Sequence, residues 1–215
     1  MIFSSIFFVF AYLPIVLILY YLVPFKFKNL VLLLVSLVFY AWGEPVYVVL
    51  MLFSIAINFV SGLELEYFID RGEMRKAKYA CIVTAAINLG VLGFYKYYGF
   101  VIEILTAFLP FDFPYTKLAL PIGISFYTFQ TMSYVIDVYR GKVKAQHNPI
   151  TFGAYVSMFP QLIAGPIVRY SDVEQQLMKR TMSIRKFGDG VLWFLQGLGK
   201  KVLIANNMGS IYEAI

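Results

Sequence analysis

Long, mostly apolar runs separated by short charged or proline-containing stretches dominate this chain. A membrane-spanning helix needs about 20 predominantly apolar residues, and several of the runs reach that length. The pattern therefore predicts an all-α, polytopic integral membrane protein. The predicted helical segments cover residues 2–23, 29–43, 45–68, 78–98, 118–139, 150–168 and 188–212.

The composition agrees with a membrane protein. Of the 215 residues, 60% are hydrophobic and only 14% are charged. A soluble domain of this length could not bury so much apolar surface in its core, so the lipid bilayer is expected to be a partner. The net charge of +6 comes from basic clusters between apolar runs, which indicates topology signals and not a nucleic-acid surface.

The basic clusters recur in loops that are two spans apart. Lys26 and Lys28 follow the first run, a second cluster occupies 71–78, and a third occupies 140–144. Loops separated by two spans lie on the same face of the membrane, and the positive-inside rule makes that face cytoplasmic. The N-terminus is therefore predicted to lie outside.

The run 150–168 is unusual because Pro160, Gly165 and Pro166 interrupt it and a fourth basic cluster begins at Arg169. A full crossing would place that cluster outside. We therefore predict a re-entrant element that enters from the cytoplasm and returns. The alternative is a kinked spanning helix, with the basic segment tolerated outside.

Irregular backbone at membrane depth is found only where protein or a water-filled cavity surrounds it. The stretch 158–168 is therefore expected to line a cavity that opens to the cytoplasm. Its candidate lining residues are Pro160, Gln161, Gly165, Pro166 and Arg169.

A second set of cavity candidates lies on the predicted helix 118–139 and just after it. Gln130, Ser133, Asp137 and Arg140 are spaced by three, four and three residues, which places them on one helix face. Polar residues in membrane segments usually face the bundle interior or a cavity. The alternative is that Asp137 and Arg140 pair with each other and only anchor the end of the helix.

The other chemically distinctive residues indicate no metal or bound cofactor. His147 is the only histidine, and its loop has no spacing typical of a triad or a metal site, so we interpret it as a solvated loop residue. Cys81 is the only cysteine, which excludes a cysteine metal cluster within this sequence.

Four stretches resemble successive blocks of one protein family. They are SLVFYAWGEP (36–45), LPIGISFYTFQTMSYVIDVYRG (120–141), FPQLIAGPIVRY (159–170) and GLGKKVLIANNMG (197–209). Their order and content are similar to those of the membrane-bound O-acyltransferase (MBOAT) family, in particular its alginate O-acetyltransferase branch.

The resemblance implies an enzyme of the bacterial inner membrane that moves an acetyl group from a cytoplasmic donor such as acetyl-CoA towards a secreted polysaccharide such as alginate. It also implies a periplasmic partner protein that completes the transfer. Alternatives are D-alanyl transfer to teichoic acid and, if the chain is complete, a non-catalytic scaffold or a transporter.

The sequence departs from the family at its catalytic motif. Members carry a histidine in a Trp-His segment followed by Arg-Asp-Tyr, and no such segment occurs in these 215 residues. We therefore expect residues 1–215 to be the N-terminal half of one O-acyltransferase domain. No catalytic residue is assigned within it, and these residues alone are expected to be inactive.

Overall fold

The computed structural model describes residues 3–108, 119–162 and 165–213. Every regular element in these ranges is a helix, so the predicted all-α class is confirmed. The α-helices are α1 (Leu13–Leu22), α2 (Lys28–Gly43), α3 (Val48–Asp70), α4 (Met74–Phe108), α5 (Ile124–Tyr139), α6 (Pro149–Ser157), α7 (Phe159–Leu162), α8 (Tyr170–Met178), α9 (Ile184–Gly199) and α10 (Asn206–Glu213).

Three shorter helical turns extend these elements. A π-helical turn, Phe8–Tyr12, leads into α1, and a 3-10 turn, Phe25–Phe27, leads into α2. A second π-helical turn, Lys200–Ala205, joins α9 to α10. The predicted run 188–212 is thus two helices joined by a wider turn, and the first of them begins four residues earlier, where the Ser183 hydroxyl caps the helix by accepting from Lys186 N.

The chain forms two compact units. The first consists of Met1–Val23 and Met178–Ile215, and the second of Pro24–Leu177. The second unit holds α2 to α7 and nearly all of α8.

Among the described residues, three helices are long and apolar enough to cross a membrane: Phe25–Gly43, Val48–Asp70 and Met74–Phe108. A shorter apolar helix covers Phe8–Leu22. These features agree with the predicted membrane protein.

The boundaries of two helices differ from the sequence prediction. The helix predicted over 78–98 is α4, which has 35 residues and would be about 50 Å long. Lys96 and Glu103, whose charges suggested that the helix had ended, lie on its exposed surface, where a charge does not interrupt a helix.

The helix predicted over 118–139 begins at Ile124, and residue 118 lies outside the described residues. Its N-cap, Gly123, has a φ of +77°, which strongly favours glycine. A Cβ at this position would lie 2.6 Å from the carbonyl oxygen of Leu162, so glycine also permits the close approach of α7.

Polar side chains hold α3 against α4. Asn58 and Asn88 exchange amide hydrogen bonds of 3.0 and 2.9 Å, and Thr84 Oγ1 donates to Ser61 Oγ at 2.8 Å. All four residues are buried. Each polar group therefore finds its partner on the facing helix, which is how polar residues stabilise helix pairs in membranes.

The reciprocal amide pair makes a testable prediction. Asn58→Leu or Asn88→Leu alone should lower the midpoint of thermal unfolding in detergent, because each leaves a buried amide without its partner at a cost of about 1–3 kcal/mol. The double substitution removes both amides and should lie closer to the wild-type midpoint than the sum of the single effects. Val60→Leu, on the exposed face of α3, is the control. Additive losses in the double variant would contradict the pairing.

Candidate functional site

Residues 149–162 and 165–170, which together we call the returning segment, run into the second unit and back within it. On the way in, Asn29 at the start of α2 donates to Thr151 Oγ1 at 3.0 Å. About two turns further along α2, the backbone N–H of Phe159 donates to Ser36 Oγ at 3.2 Å. The segment therefore runs along α2 in the direction of α2, and its far tip at Leu162 packs against Gly123 at the start of α5.

The second half of the segment runs back until Tyr170 lies beside the residues that precede the segment. The Tyr155 hydroxyl donates to the carbonyl oxygen of Val168 at 3.0 Å, and Gln146 Nε2 donates to the Tyr170 hydroxyl at 2.7 Å. Residue 170 thus lies beside residue 146, which precedes the segment. Both ends lie at the end of the unit where α3 and α5 finish, which we call the basic end because the loops 71–76 and 140–148 flank it.

The helix breaks at Met158, between α6 and α7, because two backbone donors are missing there. Pro160 has no N–H, and the N–H of Phe159 is used by Ser36. The carbonyl of Tyr155 therefore loses its helical donor. Gln130 Nε2 and Gln161 Nε2 donate to this oxygen instead, at 3.1 and 2.8 Å.

Four aromatic rings pack at the centre of the returning segment. The Tyr170 ring meets the rings of Tyr134 and Tyr155 edge to face, each at 5.2 Å between centroids, and Phe152 packs on Tyr134 at 4.7 Å. All four residues are fully buried. A Cβ on Gly62 would lie 2.8 Å from Tyr134 Cε1, so this glycine lets the Tyr134 ring pack against α3.

Gln146 links the loop before the segment to these rings. Its backbone N–H donates to the Tyr134 hydroxyl at 2.9 Å, and its side chain donates to Tyr170 as described above. Its Oε1 accepts from Asn148 N at 2.9 Å, and the Asn148 side chain caps α6 by accepting from Ile150 N and Thr151 N. The loop, the cap and the returning end are therefore connected by continuous hydrogen bonds.

The Tyr170 hydroxyl stays protonated in this network. Burial raises the pKa of Tyr170 to about 12, while the hydrogen bond from Gln146 acts in the opposite direction. A neutral phenol can accept from Gln146 without placing a charge among the aromatic rings.

His147 is more than the solvated loop residue that the sequence suggested. Its Nε2 lies 2.8 Å from Glu66 Oε2, and the other oxygen of Glu66 accepts from Ala145 N at 3.3 Å. The His147 side chain is 72% exposed, so the pair lies at the surface. No local sequence pattern indicates this contact, because the two residues are 81 positions apart.

The four polar candidates of α5 have different environments. Gln130 and Asp137 are buried, Ser133 is half-buried with its hydroxyl donating to the Gln130 carbonyl in the same helix, and Arg140 is exposed. Asp137 lies 3.8 Å from Lys142, so the alternative pairing with Arg140 was wrong. The helix ends at Tyr139, and Lys142 then turns back towards the carboxylate, donating its backbone N–H to the Asp137 carbonyl.

The predicted cavity-lining residues of the returning segment lie just before its bend and along the half that runs back. Gln161 is half-buried and bound to the Tyr155 carbonyl, whereas Pro160, Gly165, Pro166 and Arg169 are exposed. Gly165 has a φ of +119°, which favours glycine at the turn. The cavity that these residues were expected to line stays a prediction.

Within the parts of the chain that the structure describes, no three histidine, cysteine or acidic side chains converge as metal ligands would. The polar groups of this region are instead occupied with one another, by the hydrogen bonds given above. What the geometry offers is a bent segment of backbone with a buried tip at Leu162 and exposed residues on either side of it, at Pro160 and at Gly165 and Pro166.

The chain is similar over 99% of its length to the probable alginate O-acetylase AlgI of Pseudomonas aeruginosa, at 43% identity, and to that of Azotobacter vinelandii, at 41% identity. The chain is a homologue of the alginate O-acetylases. The predicted resemblance to alginate O-acetyltransferases is thereby confirmed. The peptidoglycan O-acetyltransferase of Helicobacter pylori is 31% identical over 96% of the chain.

The chain spans about two fifths of the length of these curated relatives, namely 41%, 43% and 45% of the three proteins. No family model matches the chain. No solved structure matches it either.

The buried Gln146 and the surface His147 make contrasting predictions. Gln146→Ala should destabilise the protein by about 1–3 kcal/mol, because it leaves the buried Tyr170 hydroxyl without its donor. His147→Ala is the matched control in the same loop, and we expect a loss of about 0–1 kcal/mol, since it removes only a surface contact with Glu66. Thermal unfolding in detergent measures both. Equal losses of stability in the two variants would contradict the role of Gln146 in holding the loop against Tyr134 and Tyr170.

Proposed function

We propose that this chain forms the N-terminal part of a membrane O-acetyltransferase that acts on a polysaccharide outside the cytoplasm, with alginate as the leading acceptor. The observation that carries the proposal is the similarity to alginate O-acetylases over 99% of the chain. Peptidoglycan is a second candidate acceptor, because the Helicobacter pylori relative is named for it.

In the proposed reaction the acyl donor is acetyl-CoA or a similar thioester. A hydroxyl oxygen attacks the carbonyl carbon, the C–S bond breaks, and the hydroxyl proton passes through a general base to the departing thiolate. The base is expected outside these residues, because the Trp-His segment typical of the family does not occur in them. His147 is not proposed for this role, since it is paired with Glu66 at the surface.

The returning segment is the part of this chain that we assign to the acyl-transfer pathway. Its broken backbone is satisfied by Gln130 and Gln161, while Pro160, Gly165 and Pro166 are exposed. An exposed, bent backbone at this depth suits the wall of a cavity. We propose that the rest of the protein closes this cavity into a tunnel.

The proposal includes a location and an orientation. We propose that the protein crosses the bacterial inner membrane several times, that its basic end lies in the cytoplasm, and that its N-terminus lies outside. The basic loops 71–76 and 140–148 support this orientation through the positive-inside rule. A periplasmic partner protein is proposed to complete the transfer to the polysaccharide.

The acetylation proposal is tested by deleting the gene and measuring acetyl groups on each acceptor by NMR. Loss of acetyl from alginate, restored by the full-length protein, is the expected result. Loss from peptidoglycan instead would assign the second acceptor. Unchanged acetylation with reduced D-alanine on teichoic acid would contradict the proposal in favour of D-alanyl transfer.

In the same strain, complementation by the full-length Gln130→Ala/Gln161→Ala variant tests the role of the segment. This variant leaves the Tyr155 carbonyl without either amide donor, and we expect acetylation to fall by about tenfold with membrane insertion intact. Gln175→Ala, on an exposed position of α8, is the matched control. Wild-type acetyl content in the double variant would contradict this role.

The orientation is tested by cysteine labelling in a full-length Cys81→Ala background. Ser171→Cys, just after the returning segment, should react with an impermeant maleimide only from the cytoplasmic side. Glu73→Cys marks the same side, and Val46→Cys, between α2 and α3, marks the outside. Labelling of Ser171→Cys together with Val46→Cys would show that residues 149–170 cross the membrane and would refute the orientation.

A further inference from the structure

An apolar groove lies within the first unit, between α1 and the start of α9. It has a volume of about 530 Å³ and is lined mainly by Leu17, Ile18 and Tyr21 on one side and by Met182, Ile184 and Phe187 on the other. The Tyr21 and Phe187 rings meet edge to face at 5.8 Å between centroids. A groove of this size and lining is typical of a site for an apolar molecule or chain.

The groove is bordered by a concentration of positive charge. Lys179, Arg180, Arg185 and Lys186 lie within eight residues, and a single acidic residue, Asp189, follows them on the next turn of α9. The same stretch supplies one wall of the groove. Cations and hydrocarbon-binding surface are therefore provided by one short piece of chain.

Contacts within the unit hold two of these cations in place. Arg180 Nη1 donates to the Tyr20 hydroxyl at 2.9 Å, and its guanidinium carbon lies 5.7 Å from the centroid of the Tyr20 ring. Lys186 Nζ donates to the side chain and the carbonyl of Thr181. Arg180 is thus fixed at the last turn of α1, one turn beyond Leu17, which lies in the groove.

We propose that this groove binds an anionic phospholipid, with the phosphate at the basic side chains and an acyl chain along Leu17 and Ile18. The apolar groove explains why the ligand is a lipid and not a free phosphate, and the four cations beside it explain why the lipid is anionic. Tyr20 and Tyr21 at the end of an apolar helix are typical of the membrane interface, where lipid headgroups lie. The proposal is independent of the acetyltransferase reaction.

The test uses the full-length protein in detergent, titrated with phosphatidylglycerol or phosphatidylcholine and followed by native mass spectrometry. We expect one phosphatidylglycerol to be retained with at least tenfold preference. Arg180→Gln/Arg185→Gln should weaken its binding by about tenfold, because two of the four cations are lost. Arg71→Gln/Arg75→Gln, which removes two cations from a different loop, is the control and should bind as the wild type does.

A second variant tests the groove without changing any charge. Ile18→Trp fills the apolar groove, and we expect it to reduce phosphatidylglycerol retention while leaving the unfolding midpoint in lipid-free detergent unchanged. Equal retention of both lipids would overturn the proposal. So would unchanged phosphatidylglycerol binding in Ile18→Trp, which is the result expected if another segment of the full-length protein fills the groove.

Discussion

The second unit depends on how one backbone carbonyl is satisfied. The helix of the returning segment breaks after Ser157, and the oxygen of Tyr155 loses its normal donor in a buried environment, where an unsatisfied carbonyl is costly. Gln130 and Gln161 both donate to it. One glutamine belongs to α5 and the other to the segment itself. These two hydrogen bonds therefore satisfy the Tyr155 carbonyl at the helix break, and the one from Gln130 also fixes the break against α5.

The bend also requires hydrogen bonds that keep the two ends of the returning segment next to each other. Gln146 performs this role because it bonds to Tyr134 of α5 and to Tyr170 at the returning end. Gly62 of α3 leaves the space in which the Tyr134 ring lies. Packing and hydrogen bonding are coupled here, since moving the ring would also displace the donor and acceptor atoms that it carries.

Much of this fold follows from local sequence. Apolar length and charged loops indicate the long helices, and the Asn148-Pro149 pair is a typical helix start. Gln130 was identified as a candidate from the spacing of polar residues on one helix face, and Gln161 from its place in the proline-interrupted run. The contacts of His147 with Glu66 and of Gly62 with Tyr134 could not be predicted, because they join residues that are far apart in sequence and depend on how helices pack. The length of α4 was underestimated because exposed charges were taken as its end.

The chain order of these contacts has a consequence for biogenesis. The partners that receive the returning segment come from α2, α3 and α5, through Ser36, Phe59 and Gln130. All of them are synthesised before the segment. A nascent chain can therefore assemble a complete receptor from its earlier helices before the segment leaves the ribosome. The polar, broken backbone then enters a site where an acceptor, Ser36, and a donor, Gln130, are already in place, without having to partition into lipid alone.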